Sequence, residues 1–137
     1  MKLKFRAWDK EFKGMYDVDR IDFFDEIIEV DNEYDHQTDE ISKYEVMQFT
    51  GVIDKNGKEI FEGDIVKLVV PDRYYTIQDN GYSDVMREDG FEFVGEVKFL
   101  HAMWFIKENL DGYPLIFDTN QILEVIGNIY EDKNIMY

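Results

Sequence analysis

Alternation of polar and apolar residues with a period of two is the feature that most constrains the fold of this chain. It occurs at residues 3–7 and 95–99, and the run MQFTGVIDKNGKEIFEGDIVK, at residues 47–67, adds segments rich in β-branched residues. Side chains of a β-strand point alternately to the two faces of a sheet, so such runs predict half-buried strands. Strands are predicted here at 48–53 and 65–70, with glycine turns at 54–57 and 62–64.

Other segments extend this pattern over most of the chain. At the N-terminus, Leu3, Phe5 and Ala7 fall on one face of a predicted strand, and Lys4 and Arg6 fall on the other. The remaining predicted strands are 15–18, which would complete a hairpin with the first, and 95–99, 103–107, 113–117 and 122–130. We therefore predict a mainly β protein with minor α content.

Residues 19–33 fit two interpretations. At about 100° per residue, their acidic side chains fall on one face of a helix and their apolar side chains on the other, with Asp19 as the N-cap. Alternatively, 21–23 and 28–30 form two strands around 24–27, which the β-branched residues favour. Because the rest of the chain reads as β, we favour the hairpin.

The chain carries a net charge of −16, and this charge is unevenly distributed. Residues 16–45 contain twelve acidic and two basic residues, whereas residues 1–15 contain five basic and two acidic ones. Affinity for nucleic acids comes largely from Lys and Arg, so no direct binding of nucleic acid is expected. We interpret the basic N-terminal residues as the solvent face of a strand that pairs with the acidic segment.

One part of the acidic segment suggests a specific hypothesis. Glu29, Asp31, Glu33 and Asp35 alternate, so in an extended strand they would line one face at intervals of about 6.6–6.8 Å. Such a row could imitate a phosphate backbone and occupy the DNA-binding groove of a host protein. The simpler interpretation is a solvated face that keeps the protein soluble. An acidic DNA-mimic inhibitor is therefore the alternative function.

The residues that most cofactors and catalytic mechanisms require are missing. There is no cysteine, and His36 and His101 are the two histidines. Thiol chemistry is excluded, and no nucleotide-binding or hydrolase motif occurs. We predict no catalytic residue, cofactor or metal site; a metal-dependent enzyme using clustered carboxylates is the remaining enzymatic alternative. No apolar run reaches the roughly 18 residues of a membrane span, so we expect a cytoplasmic protein without membrane contact.

Residues 71–90 interrupt the alternating pattern with a proline and two glycines. A loop of roughly twenty residues is uncommon inside a compact domain and is usually functional. Tyr74, Tyr75 and Tyr82 could form a contact surface there, because tyrosine offers a large amphipathic area. Alternatively, the three rings hold the loop against the rest of the protein.

Three segments of the chain together resemble a known family. KFRAWDK at 4–10, the run at 47–67 and EVIGNIYED at 124–132 are similar to the best-marked blocks of the YopX family of phage and prophage proteins. The resemblance implies a phage or prophage origin, expression in a bacterial host, and a mostly β architecture with a small SH3-like barrel in the C-terminal part. It implies no catalytic residue.

These observations predict one YopX-like domain over residues 1–137. Residues 1–46 would form the N-terminal strands and acidic segment, and residues 47–137 a barrel-like part with an insertion at 71–90. Expected interior side chains, besides Trp8 and Trp104, are Phe49, Ile60, Phe61, Ile65, Val97, Phe99, Phe105, Val125 and Ile129. Because short barrels leave strand edges unpaired, we expect a non-catalytic interaction or self-assembly module: a homo-oligomer that can also contact a host or phage protein.

Overall fold

The computed structural model of the protein describes residues 2–108, 111–115 and 121–132. Antiparallel β-strands make up nearly all of the regular structure in these residues, and their one helical element is a 3-10 turn at Ile41–Lys43. The predicted mainly β class is therefore confirmed. The described residues include no helix with the length and apolar character needed to cross a membrane.

The first sheet consists of β1 (Phe5–Asp9), β2 (Met15–Asp22), β3 (Ile27–Asp31), β4 (His36–Glu40), β5 (Tyr44–Ile53) and β6 (Glu59–Phe61). Its strand order is β4-β3-β2-β1-β5-β6. The first four strands follow one another by antiparallel pairing, and β5 returns along the other side of β1. As a result, β1 lies inside the sheet.

The second sheet consists of β7 (Asp64–Val70), β10 (Phe91–Leu100), β11 (Met103–Glu108), β12 (Asp111–Pro114) and β13 (Ile122–Asn128). Its order is β12-β11-β10-β7-β13, so β7 lies between β10 and β13. The two remaining strands, β8 (Arg73–Asp79) and β9 (Tyr82–Glu88), pair with each other. The strand predicted at 113–117 lies partly outside the described residues, and closure into an SH3-like barrel stays a prediction.

The segment at residues 19–33 forms a β-hairpin, as we favoured, and the helical interpretation is wrong. Strands β2 and β3 are joined by a turn in which Asp22 Oδ1 accepts hydrogen bonds from the backbone N–H groups of Phe24 and Asp25, both at 3.0 Å. An aspartate that bonds its own following backbone in this way favours a turn over a helix. The hairpin buries Ile28 and Val30 against the other strands of the first sheet.

The buried apolar side chains form two groups. One lies within the first sheet and comprises Ala7, Tyr16, Ile28, Val30 and Tyr44. The other joins Ile60 of β6 to side chains of the second half of the fold, namely Val66, Leu68, Val97, Ile106, Leu115 and Leu123. The predicted interior positions that are buried are Trp8, Phe49, Ile60, Phe61, Ile65 and Val97. Partly buried positions are Trp104, Phe105, Val125 and Ile129.

The prediction for Phe99 is wrong, because 53% of its surface is exposed. Phe99 shares the buried side of β10 with Val97 by alternation. Near the end of that strand, however, its ring packs only edge-on against Trp104, with centroids 5.0 Å apart. Alternation assigns a side chain to a face of the strand, but it does not show how far the covering layer extends.

The predicted faces of the N-terminal strand are wrong at two positions. Leu3 precedes β1 and is exposed, whereas Arg6 is buried. Four successive residues of β1, from Arg6 to Asp9, are buried, so both faces of this strand are covered by other parts of the protein. The face that carries Arg6 lies against the turn that leads into β7, where Asp64 receives the guanidinium.

Candidate protein-contact site

Between β7 and β10 the chain leaves the second sheet as a separate hairpin, which we call the arm (residues 73–88). Seven residue pairs connect its strands, from Arg73↔Glu88 to Asp79↔Tyr82. Asn80 and Gly81 form the turn with φ values of +50° and +83°. Asn-Gly is the dipeptide most typical of a two-residue hairpin turn with two positive φ angles. The predicted loop at 71–90 is therefore wrong, and this dipeptide was the signal that identifies the hairpin.

The base of the arm is fixed by Asp72. Its carboxylate accepts a hydrogen bond from the Gly90 backbone N–H at 2.8 Å and one from Arg87 Nη2 at 2.9 Å. These two donors, the Gly90 N–H first, hold the pKa of Asp72 below its ordinary value. Gly90 itself has no room for a side chain, since a Cβ atom would lie 2.0 Å from the carbonyl oxygen of Val70.

Every residue of β8 and β9 is exposed to solvent. The interpretation in which the tyrosine rings hold this segment against the rest of the protein is therefore wrong. An isolated two-stranded hairpin is only marginally stable in water, and the large apolar side chains of this one are 39–80% exposed. The large exposed side chains of the arm are Tyr74, Tyr75, Ile77, Tyr82, Val85 and Met86.

The register of the arm divides these side chains between two faces. Paired residues of an antiparallel ribbon lie on the same face, which places Tyr75, Ile77, Tyr82 and Met86 together. Arg73, Asp79, Asp84 and Glu88 lie on this face as well, and we call it the apolar face of the arm after its four large apolar side chains. Tyr74 lies on the opposite face, so two of the three predicted contact tyrosines share a surface and the third does not.

The predicted row of Glu29, Asp31, Glu33 and Asp35 does not exist as one strand face. Glu29 and Asp31 lie in β3, but the strand ends there and Glu33 lies in the following turn. Asn32 Oδ1 closes that turn by accepting hydrogen bonds from the N–H groups of residues 34 and 35, both at 2.9 Å. DNA mimicry stays a prediction, but the row on which it was based is wrong.

Within the described residues, one group of side chains could hold a cation. It consists of Asp19, Asp31 and His36. One donor atom from each lies within 4.8 Å of the others, and His36 Nδ1 is 3.7 Å from Asp19 Oδ2. Desolvation, followed by the hydrogen bond and charge of Asp31, raises the pKa of Asp19. The sequence did not indicate this group, because it depends on a bulge between Val18 and Arg20. Exposed acidic groups of this kind are common without an ion.

The three sequence blocks that suggested a family meet where the two sheets join. Arg6, in the first block, pairs with Asp64 in the second, and the ring of Trp8 stacks on Tyr130 in the third with centroids 5.6 Å apart. Beside them is a groove of about 310 Å³. Burial, followed by the charges of the groove residues Glu45, Glu62 and Glu96, raises the pKa of Tyr130. These contacts between the three blocks indicate that the block residues hold the fold together.

The fold and the arm define a class of mainly β proteins in which two antiparallel sheets carry an exposed hairpin. The sequence profile of the YopX protein family matches residues 4–136, and the chain belongs to this family. A crystal structure of protein EF1440 from Enterococcus faecalis is similar to it, with a TM-score of 0.53 and 24% identity over 98% of this chain and 97% of that one. That likeness concerns the fold alone. A comparison with curated proteins finds no match.

Proposed function

We propose that this protein is a non-catalytic module for self-assembly and protein contacts, and that the arm is its contact surface. The observation that carries the proposal is the exposure of all residues in β8 and β9, with large apolar side chains on both faces. Exposed apolar surface of this kind is typical of interaction sites. A strand edge without a partner is a common site for pairing with another chain.

The charge of the arm supports contact between copies of the chain. Its sixteen residues include two basic and three acidic ones, whereas the whole chain carries −16. Like-charged molecules approach each other most easily through the surface where their own charge is smallest. The arm is nearly neutral and pairs with neither of the two larger sheets, so it suits self-association better than the face of β2 and β3 does.

The proposal extends to the setting in which the protein acts. A phage or prophage origin and a place in the bacterial cytoplasm are supported by the resemblance of residues 4–10, 47–67 and 124–132 to the family blocks. In that setting, a host or phage protein is the expected second partner of the arm. An SH3-like arrangement of the second sheet belongs to the same proposal, with β7, β10 and β11 as its central strands.

Sedimentation equilibrium tests self-association directly. We expect the wild-type protein to be larger than a monomer at micromolar concentration. A variant with Tyr75→Ser, Ile77→Thr and Met86→Ser, which removes most of the apolar face, should be monomeric. Phe24→Ser is the matched control, because Phe24 is 95% exposed but lies in the turn between β2 and β3. A wild-type protein that is strictly monomeric would refute self-assembly.

Affinity capture tests the second partner. The tagged wild-type protein and the arm variant are incubated in parallel with lysate from bacterial cells in which a prophage of this type has been induced. A protein retained by the wild type and by Phe24→Ser but lost with the arm variant would support a heterologous contact. Retention of the same proteins by the arm variant would remove the arm from that role.

A further inference from the structure

The arm has an edge that is complementary to itself. Building on the proposed self-assembly, we propose that β8 pairs with β8 of a second copy, antiparallel, about a two-fold axis at Thr76. The two arms would then form one four-stranded sheet in the order β9-β8-β8-β9. The second copy would supply what the arm lacks in a single chain, namely a neighbour for the open side of β8.

The backbone of β8 has free hydrogen-bonding groups at regular positions. In a two-residue hairpin the pair that closes the turn, here Asp79↔Tyr82, is hydrogen bonded, and bonded and non-bonded pairs alternate from there. Tyr74, Thr76 and Gln78 therefore direct their N–H and C=O groups away from β9. In the described strands β9 is the sole neighbour of β8, so this edge is open to another chain.

A two-fold axis at Thr76 gives a specific register. Thr76 lies opposite Thr76 of the second copy, and Tyr74 lies opposite Gln78, in hydrogen-bonded pairs. Tyr75 then faces Ile77, and Arg73 faces Asp79, in the non-bonded pairs where side chains approach most closely. Because of the symmetry, each of these contacts occurs twice, except the Thr76–Thr76 pair, which lies on the axis.

The charges favour this register over its neighbours. Arg73 is at one end of β8 and Asp79 at the other, and both are exposed. Antiparallel pairing over the full strand brings the two opposite charges together at both ends of the interface. Moving the strands by two residues in either direction removes both Arg73–Asp79 contacts, and leaves part of the strand unpaired.

The opposite edge of the arm offers no such match. If β9 paired with β9 of a second copy, the axis would pass through Val85, the centre of that strand. Tyr82 would then face Glu88, and Asp84 would face Met86, so no opposite charges would meet. The structure therefore assigns the self-complementary edge to β8. Pairing there also joins the apolar faces of the two arms into one continuous surface.

A charge-exchange experiment tests the register. Arg73→Asp places two aspartates against each other at both ends of the interface, and Asp79→Arg places two arginines there. Each variant alone should dimerise at least roughly tenfold more weakly than wild type, since like charges directly opposite each other destabilise paired strands. An equimolar mixture of the two variants should restore the dimer, because every facing pair is again Asp–Arg.

Rescue by mixing also controls for damage to the arm itself. Arg73 is 3.5 Å from Glu88 in its own chain, and its guanidinium lies 5.2 Å from the centroid of the Tyr75 ring. A variant with a locally disordered arm would not be restored by a second variant. If the mixture dimerises no better than the single variants, the proposed register is wrong.

Cysteine cross-linking tests the axis, and it is unambiguous because the chain has no cysteine. Across a hydrogen-bonded pair, Cα atoms are about 5.5 Å apart, within the range that a disulfide spans. Thr76→Cys should therefore form a disulfide-linked dimer under mild oxidation. Val85→Cys is the matched control on the same face, and its Cα atoms would be separated by three strand spacings, about 14 Å. It should stay uncross-linked.

The outcomes separate this inference from the proposed function. A wild-type dimer with a cross-link at residue 76 supports both. A cross-link at residue 85 instead would assign the interface to β9 and overturn the β8 pairing while keeping self-assembly through the arm. A dimer without either cross-link would overturn the arm-to-arm geometry. A monomeric wild-type protein would overturn both.

Discussion

The guanidinium of Arg6 lies 2.7 Å from the carboxylate of Asp64, and only 10% and 1% of the two side chains are exposed. The same carboxylate accepts a hydrogen bond from the Phe61 N–H at 2.8 Å. Burial raises the pKa of Asp64, although Arg6 and the Phe61 N–H oppose this. The pair connects β1 in the first sheet with the start of β7 in the second.

Removing Arg6 should be strongly destabilising. Arg6→Met leaves the Asp64 charge buried without its partner, which typically costs about 3–5 kcal/mol of unfolding free energy. A raised pKa in the folded state means that Asp64 contributes stability below its unfolded pKa and loses that contribution as the pH rises through its folded pKa. The deficit of Arg6→Met should therefore be largest at neutral pH and shrink on acidification. Urea unfolding of both proteins at several pH values measures this difference in unfolding free energy.

Lys4→Met provides the control for this variant. Lys4 also forms an ion pair with a residue distant in the sequence, Glu59 of β6, at 2.6 Å, but about a third of each side chain is exposed, 34% and 35%. An exposed pair of this kind contributes about 0–1 kcal/mol. If both variants lose the same small amount of stability, the Arg6–Asp64 pair does not connect the sheets as described.

The pH dependence of Asp54 should be the reverse of that of Asp64: Asp54 should stabilise the protein at neutral pH and lose this effect in acid. Burial opposes its charge, but backbone N–H groups of Val125, Lys58 and Asn56 donate to the carboxylate and together hold its pKa below the ordinary value. The contribution is present above the unfolded pKa and is lost as the pH falls through the folded pKa. Asp54→Asn should cost about 1.5–3 kcal/mol at pH 7.

The difference between wild type and Asp54→Asn should narrow as the pH falls below about 3.9, the ordinary pKa of an aspartate, towards the lower pKa of folded Asp54. Chemical denaturation from pH 7 to pH 3 follows this change. Asp25→Asn, in the exposed turn between β2 and β3, should behave like wild type throughout. A stability difference for Asp54→Asn that does not vary with pH would contradict the role of the charge.

Gly90 should tolerate no side chain. The Cβ atom of Gly90→Ala would be 2.0 Å from Val70 O and 2.5 Å from the carbonyl carbon of Pro71, so the backbone at the base of the arm must move. We expect a loss of about 1–3 kcal/mol, as for other overpacked sites. Gly112→Ala is the control, because its nearest neighbours would be at an ordinary 3.6 Å or more. Equal thermal stability of the two variants would show that the arm can shift freely.

Asp19 should destabilise the first sheet slightly at neutral pH. The pKa of Asp19 is raised mainly by desolvation, followed by the hydrogen bond and charge of Asp31. Asp19 therefore contributes to stability in acid, and this contribution is lost as the pH rises through its folded pKa. Asp19→Asn should therefore raise the melting temperature at pH 7, with a gain within about 0.5 kcal/mol because the site is exposed. A lower melting temperature at pH 7 would contradict this.

The group of Asp19, Asp31 and His36 also tests the enzymatic alternative. We expect Ca²⁺, Mg²⁺ and Mn²⁺ to leave the melting temperature unchanged, because an exposed group of three ligands offers an open and incomplete shell. A cation-dependent rise that His36→Ala abolishes would instead support a metal-dependent role for these carboxylates.

The local part of the fold could be predicted because its causes are local. The strand at 48–53, the glycine turn at 54–57 and the hairpin around Asp22 depend on residue propensity and turn chemistry within a few residues. The arm belongs to the same category. Its Asn80-Gly81 turn and seven residue pairs form a local hairpin, and this dipeptide is the local signal that predicts it.

The candidate site was only partly predictable, because its geometry depends on strand register, on where a strand ends and on a bulge. The sequence indicated Tyr74, Tyr75 and Tyr82, but their distribution over two faces follows from the register that the turn imposes. The acidic row failed because the hydrogen bonds of Asn32 end the strand before Glu33. The group around His36 needed a bulge in β2, which no periodic pattern contains.

By itself, the sequence determined that the chain forms β-strands, where most of them lie, and which family it belongs to, because strand period and turn residues act over short distances. Only the tertiary structure decided which faces are covered. Arg6 alternates like an exposed residue, yet it is buried because Asp64, far away in the sequence, lies against it. Burial depends on what packs on each side of a strand, and that is set by contacts between segments that are distant along the chain.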